Sequence, residues 1–352
     1  MDPDSVEGLR ASGGDGAGDA IGPDGRVPHG SSDDPDLLDF SANTNPRVPP
    51  DAAETYQKAF EAARSYPADD YPAFREAAAA FVDCDPAQVI PTAGGLEAIR
   101  LTIQTTVRAG DSVLVPYPSF GEYAREVRLQ GGTPEFVPHD ELLTVDPDGH
   151  ALAIVCNPNN PTGETANPAA LRAFADDCLD AGTTLLVDEA FLGFTDGQSL
   201  AGREGVVVAR SLTKLFGLPG IRMGYAVGTG AAGDRLTTAR RAWSMSAAAA
   251  AVGAHCYGQA EFVAETKARV AEERARMQER LATRFDVYPS DAPFLLLAVS
   301  DADGSVDDIL TAARESGIAL RDARTFRGLD SHIRVAVRAP GENDRLLDAL
   351  DV

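Results

Sequence analysis

Short apolar runs recur along the middle of the chain: SVLVP (112–116), ALAIVC (151–156), TTLLVDEAF (183–191), VVVARS (206–211) and MGYAVG (223–228). Each is rich in aliphatic or β-branched residues and too short for a buried helix, so each predicts a strand. Continuous rather than alternating apolar character marks strands covered on both faces, as in a parallel sheet. EAIRLTIQTTVRA and PAALRAFADDCLDAG carry helical apolar spacing and fall between some of these runs. Strands alternating with helices predict an α/β domain with a mostly parallel sheet. After about residue 234 the pattern changes. EFVAETKARVAEERARMQERLATRF (261–285) predicts a long charged helix, and PFLLLAVS, a further helix, GIALRDA and SHIRVAVR predict a smaller α+β domain. Ordered structure is expected to begin near LLDFSANTNP (37–46), behind a Gly-, Asp- and Ser-rich stretch. The expected divisions are a mobile tail at 1–28, an arm at 29–50, a large domain at 51–234, and a connecting helix with a small C-terminal domain at 235–352. No internal repeat is found.

Composition narrows the function. A 352-residue chain with 44% hydrophobic residues can build a large core. With 54 Asp+Glu against 31 Lys+Arg and a net charge of -23, it is a poor partner for nucleic acid or an anionic membrane. The acidic surface suggests a salt-rich, halophilic setting. Four cysteines without CxxC pairing and five scattered histidines predict reduced thiols and no metal site. Neither a leader nor a membrane span is apparent, and a soluble cytoplasmic protein is expected.

Only three lysines occur, Lys58, Lys214 and Lys267, and two of them sit in solvated helical stretches. Lys214 instead follows VVVARS and precedes a Gly/Pro-rich turn, so it stands at a strand end. Unlike Arg, a lysine becomes a nucleophilic amine once its pKa is lowered, which makes Schiff-base chemistry the first hypothesis and a plain loop residue the alternative. GTGAAG (228–233) matches a dinucleotide-binding fingerprint, but the acidic residue needed about 20 positions later is absent, which disfavours that reading.

A Schiff-base lysine usually serves pyridoxal phosphate, which also needs an acid at its ring nitrogen, a donor to its phenolic oxygen, a ring partner and phosphate donors. Asp188 in LLVDEAF is the candidate acid, or a helix cap. Asn160 in CNPNNPTG is the candidate donor, or only part of a turn. Gly95 and Leu96 in TAGGLEAI could offer free amides to an anion, with Ser211, Thr213 and Arg222 beside the lysine. Phe120 in PYPSFGEY could stack on a ring or simply pack.

Together, NPNNPTG, VDEAF and SLTKLFGLPGIRMGY resemble the aspartate-aminotransferase superfamily of fold-type I pyridoxal-phosphate enzymes, over the chain from about residue 29 onward. The resemblance implies a large domain with a mostly parallel seven-stranded sheet and a smaller α+β C-terminal domain. It implies Lys214 as the cofactor's lysine, Asp188 on the ring nitrogen, Asn160 on the phenolic oxygen, and Gly95, Leu96, Ser211, Thr213 and Arg222 on the phosphate. It also implies a homodimer with shared active sites, in which Tyr66 of SYPADDY reaches the neighbour's cofactor phosphate and the 29–50 arm joins the site. Two branches are close: the threonine-phosphate decarboxylases of cobalamin synthesis and the histidinol-phosphate aminotransferases. HGSS with DLLDFSANTNP, ALRDARTFRGLDSHIRVAVR, and Phe191 where aminotransferases usually carry Tyr are similar to the decarboxylases. That branch implies decarboxylation of L-threonine O-3-phosphate to (R)-1-amino-2-propanol O-2-phosphate. Its substrate anchors would be His29, Asn43, Arg321, Arg334 and Arg338, with Arg334 on the carboxylate, His29 and Arg321 nearer the phosphate, and Arg327 a substitute.

Overall fold

The computed structural model describes residues 3–11 and 25–352. After a short first strand, β1 (Leu38–Asp39), seven strands form the main sheet: β2 (Val89–Thr92), β3 (Ser112–Tyr117), β4 (Thr133–Pro138), β5 (Leu152–Cys156), β6 (Thr184–Asp188), β7 (Val206–Ser211) and β8 (Gly224–Gly228). Their spatial order is β2-β8-β7-β6-β5-β3-β4. β8 runs antiparallel to both its neighbours, and every other pair is parallel. The expected mostly parallel seven-stranded sheet is therefore present. Its middle is apolar on both faces because helices cover both: Leu185, Leu186 and Val187 of β6 are all fully buried. The apolar runs did not mark β2 and β4. β2 is only four residues long and contains Pro91, while β4 is an edge strand whose exposed residues alternate with covered ones.

The small domain adds β9 (Asp286–Val287), β10 (Phe294–Ala298), β11 (Ile318–Ala319), β12 (Arg321–Asp322) and β13 (His332–Ala336). β12-β13-β10-β9 form an antiparallel sheet. β11 pairs in parallel with β1, which fastens the N-terminal arm to this domain. The long charged helix spans Ala260–Leu281, close to its expected place. No helix among the described residues is long and apolar enough to cross a membrane.

Two expectations on chain organisation need correction or limits. The 1–28 stretch contains a helix at Pro3–Ala11, and Val27 is buried, because Arg125 binds the carbonyl of Gly25 and Arg321 that of Pro28. The rest of that stretch, residues 1–2 and 12–24, lies outside the described residues. The boundary at 234/235 falls inside one continuous helix, Gly230–Ala239. GTGAAG runs from the last residue of β8 into the start of that helix. Since β8 runs antiparallel, its end lies on the sheet edge opposite to the ends of β5, β6 and β7.

The C-terminal ends of β2, β3, β5, β6 and β7 share one edge, where open α/β sheets gather their functional loops. The arm crosses this edge. Asn45 is buried there; its amide nitrogen donates to the Lys214 carbonyl at 3.0 Å and its Nδ2 to the Leu215 carbonyl at 2.8 Å. Arg269 of the long helix donates to Asn45 Oδ1 at 2.8 Å, so arm, lysine turn and connecting helix form one unit. Gly217 completes the turn at φ 65, where a Cβ would stand 2.6 Å from the Asn45 carbonyl oxygen and closer still to that of Arg47. Gly217→Ala would add left-handed strain to this overlap and is expected to lower stability by roughly 1–3 kcal/mol while weakening cofactor retention. Urea unfolding and a cofactor titration check this, and a parent-like result in both would contradict it.

Candidate active site

A cavity of about 330 Å³ opens on this edge. Its lining includes Gly95, Leu96, Phe120, Asn160, Asp188, Phe191, Ser211, Thr213, Lys214, Arg222, His29, Asn43, Arg321 and Arg334. Fourteen of the positions singled out from sequence are thus brought together.

Lys214 sits in the short helical turn Leu212–Leu215 that follows β7. Burial, followed by the charges of Arg334 and Arg222, lowers its pKa to about 8, with a small opposing effect from Asp39. An appreciable share of the amine is therefore neutral near neutral pH. Asp188 ends β6 and is buried, which pushes its pKa up; Tyr123 opposes this by donating to Oδ2 at 2.6 Å, and the Ala190 amide does so by donating to Oδ1 at 3.0 Å. Asn160 follows β5, and its Oδ1 accepts from Arg334 Nη1 at 2.5 Å.

One end of the cavity is built for an anion. The helix Gly95–Thr106 starts behind Gly94, which has no side chain to cap the first-turn amides. Ser211 Oγ and Thr213 Oγ1 lie 2.8 Å apart beside it. Arg222 is held in the left-handed region at φ 58, an uncommon conformation for a non-glycine residue. Its guanidinium covers Gly94, where a Cβ would come within 2.7 Å of Nη2.

The other end is cationic as well. Arg334 of β13 is buried, and its Nη2 donates to the Ser41 carbonyl at 2.9 Å. Arg321 of β12 is buried and donates to the Pro28 carbonyl at 2.7 Å and to Thr325 at 2.8 Å. Each retains a buried Nε without a hydrogen-bond partner, as does Asn43 at Oδ1. His29 pairs with buried Glu122 at 3.0 Å and packs against Phe120. Phe191 packs edge-on against Phe294 with ring centroids 5.0 Å apart, and it brings no hydroxyl to the cavity.

Two singled-out residues, Tyr66 and Arg338, lie elsewhere. Tyr66 is 79% exposed and stacks on Trp243 at 4.3 Å. Arg338 is turned onto the Asp39 carbonyl and Glu342, because β13 ends at Ala336 and the chain then bends into the next helix. Arg327 lies over the Phe136 ring at 3.8 Å and is not part of the lining. Sequence reasoning missed Tyr123, although PYPSFGEY contains it. It also missed Val27 and Pro28, which close one side of the cavity.

The family model for aminotransferase class I and II matches residues 35–350. The chain belongs to this family. It is 29% identical over 329 residues to histidinol-phosphate aminotransferase 2 of Archaeoglobus fulgidus, covering 90% of this chain and 93% of that protein. It is 32% identical over 334 residues to threonine-phosphate decarboxylase of Salmonella typhimurium, covering 89% and 90%. Among solved structures it resembles histidinol-phosphate aminotransferase from Sinorhizobium meliloti in complex with pyridoxal-5'-phosphate, with a TM-score of 0.79, 22% identity and 88% of each chain covered.

The family's cofactor is pyridoxal phosphate, and the residues present fit it. The uncapped helix start, Ser211, Thr213 and Arg222 suit its phosphate, Asp188 its ring nitrogen, Phe120 its ring face, Asn160 its phenolic oxygen and Lys214 its aldehyde.

Lys214 has a lower pKa in the folded than in the unfolded chain. Between about 8 and 10.5 the unfolded state binds a proton that the folded state does not. Its share of stability therefore rises with pH across that window, and its penalty is fully present below it. In cofactor-free protein, Lys214→Met should remove this slope and raise stability near neutral pH. Urea midpoints at both ends of the window test this; an unchanged slope would contradict the buried, uncompensated amine.

Proposed function

We propose that the protein is a pyridoxal-phosphate-dependent decarboxylase of L-threonine O-3-phosphate, releasing carbon dioxide and (R)-1-amino-2-propanol O-2-phosphate. The observation that carries this reading is the pairing of Arg321 with Arg334. They are cross-strand partners in β12 and β13, both buried, and among the described residues neither forms an ion pair with an acid, Asp322 and Asp39 acting on Arg321 and Arg334 only through their charge. Burial first, and Arg321 second, lower the pKa of Arg334, and burial lowers that of Arg321. Two buried guanidinium groups side by side cost several kcal/mol unless anions offset them. A substrate with a carboxylate and a phosphate ester supplies two.

In this reading Arg334, steadied by the Ser41 carbonyl, holds the carboxylate, and Arg321 with His29 holds the ester phosphate. Anchoring both ends would fix rotation about the bonds to Cα and so select the carboxylate as the group placed to leave. Bound pyridoxal phosphate supplies the sink for the electrons of the broken Cα–carboxylate bond, its ring nitrogen held by Asp188. Lys214 Nζ carries the proton that Cα receives once carbon dioxide has left. Phe191, without a hydroxyl, and the decarboxylase relative at 32% identity support this branch. The exposed Tyr66–Trp243 pair suits a homodimer in which Tyr66 reaches the neighbour's cofactor phosphate.

The relative at 29% identity supports a second reading, amino transfer from histidinol phosphate. Carbon dioxide release from O-phosphothreonine, with pyridoxal phosphate and no keto acid, separates the two: sustained release is expected. Turnover only with 2-oxoglutarate, giving glutamate, would replace the decarboxylase with the aminotransferase. Arg321→Ala is expected to cut kcat/KM for O-phosphothreonine about a hundredfold, as loss of a charged hydrogen-bonding partner does. A variant within twofold of the parent would remove Arg321 from the substrate site.

A further inference from the structure

Tyr123 touches the site from behind. Its ring is fully buried in the helix Glu122–Leu129, edge-on to Phe120 with centroids 5.5 Å apart, and its hydroxyl donates to Asp188 Oδ2 at 2.6 Å. We propose that Tyr123 is a positioning residue for the cofactor's ring nitrogen, acting through Asp188: its hydroxyl fixes the carboxylate's orientation and keeps it anionic inside the protein. The inference rests on the cofactor assignment and is independent of whether carbon dioxide or an amino group leaves the substrate.

The surroundings of Asp188 give Tyr123 this task. Burial opposes the charge of Asp188, and Tyr123 is the largest influence favouring it, ahead of the Ala190 amide. Glu189, the next residue, acts against the charge. Arg210 of β7 favours it only weakly, being bound to Glu189 at 2.8 Å. Cys156 at the end of β5 bears no charge, since burial pushes its thiol far up and it donates to the Pro158 carbonyl. Lys214, Arg222 and Arg334 line the same cavity, but none has a hydrogen bond to Asp188.

A phenol also suits the position because it does not titrate. Burial and the adjacent Asp188 push the Tyr123 pKa well above its ordinary value, so it stays a donor throughout the working pH range. An imidazole there would change its own charge near neutrality. Were only volume required, phenylalanine would fill the space without a hydroxyl that must be satisfied.

Tyr123→Phe keeps the ring and removes the donor, so the Asp188 carboxyl should protonate at higher pH. Pyridoxal phosphate titrated into cofactor-free protein, followed by its absorbance across a pH series, is expected to bind about tenfold more weakly near neutral pH. The acid-side midpoint for retention should move up by about one pH unit. In an Asp188→Asn background the same substitution should change neither quantity, because the two act as one unit. Tyr123→His, which keeps a ring donor, should recover part of the neutral-pH affinity, and it serves as the reporter if the Phe variant fails to fold. Equal weakening at every pH, or the same loss in the Asp188→Asn background, would overturn the proposal by reducing Tyr123 to packing.

Discussion

The site depends on an electrostatic imbalance that the fold sustains. A chain with net charge -23 gathers Lys214, Arg222, Arg321 and Arg334 around one cavity, and among the described residues Asp188 is the sole acid in its lining. Partly or wholly buried cations without paired carboxylates destabilise a protein. The lowered pKa of Lys214 and the unpaired Nε atoms of Arg321 and Arg334 are local signs of that cost. Anions offset it: one phosphate belongs to the cofactor, and in the proposed reading the substrate brings the rest. The same imbalance supplies reactivity, because burial and, after it, cationic neighbours keep part of the lysine amine neutral.

The packing holds this arrangement in register. Five strand ends deliver the cofactor residues, while the small domain delivers Arg321 and Arg334. The arm joins the two bodies. It pairs with β11, receives Arg334 on the Ser41 carbonyl, lines the cavity with Asn43 and holds the lysine turn with Asn45. The distance between Lys214 and Arg334 therefore depends on a few hydrogen bonds in a short irregular segment. Gly217, which is not in the cavity lining, belongs to the same constraint, since a Cβ there would run into the carbonyls of Asn45 and Arg47 in the arm.

Much of this was legible in the chain, for identifiable reasons. The central strands announce themselves because they are buried on both faces. Lys214 stands out because the chain otherwise uses arginine. Asp188 was visible as an acid at the end of an apolar run. The rest was hidden by tertiary contact. Nothing local ties Tyr123 to an aspartate 65 residues further on. Arg338 shares strand parity with Arg334, but the strand ends between them, so equal spacing did not give equal placement. Val27 and Pro28 read as tail because the arginines that hold their neighbourhood lie far along the sequence.

The most direct test is chemical. Cofactor-loaded protein would be reduced with borohydride, digested and mapped by mass spectrometry. The account predicts a single pyridoxyl group, on Lys214, and none on Lys58 or Lys267. A label on either of those two lysines, or no label in protein saturated with pyridoxal phosphate, would contradict it.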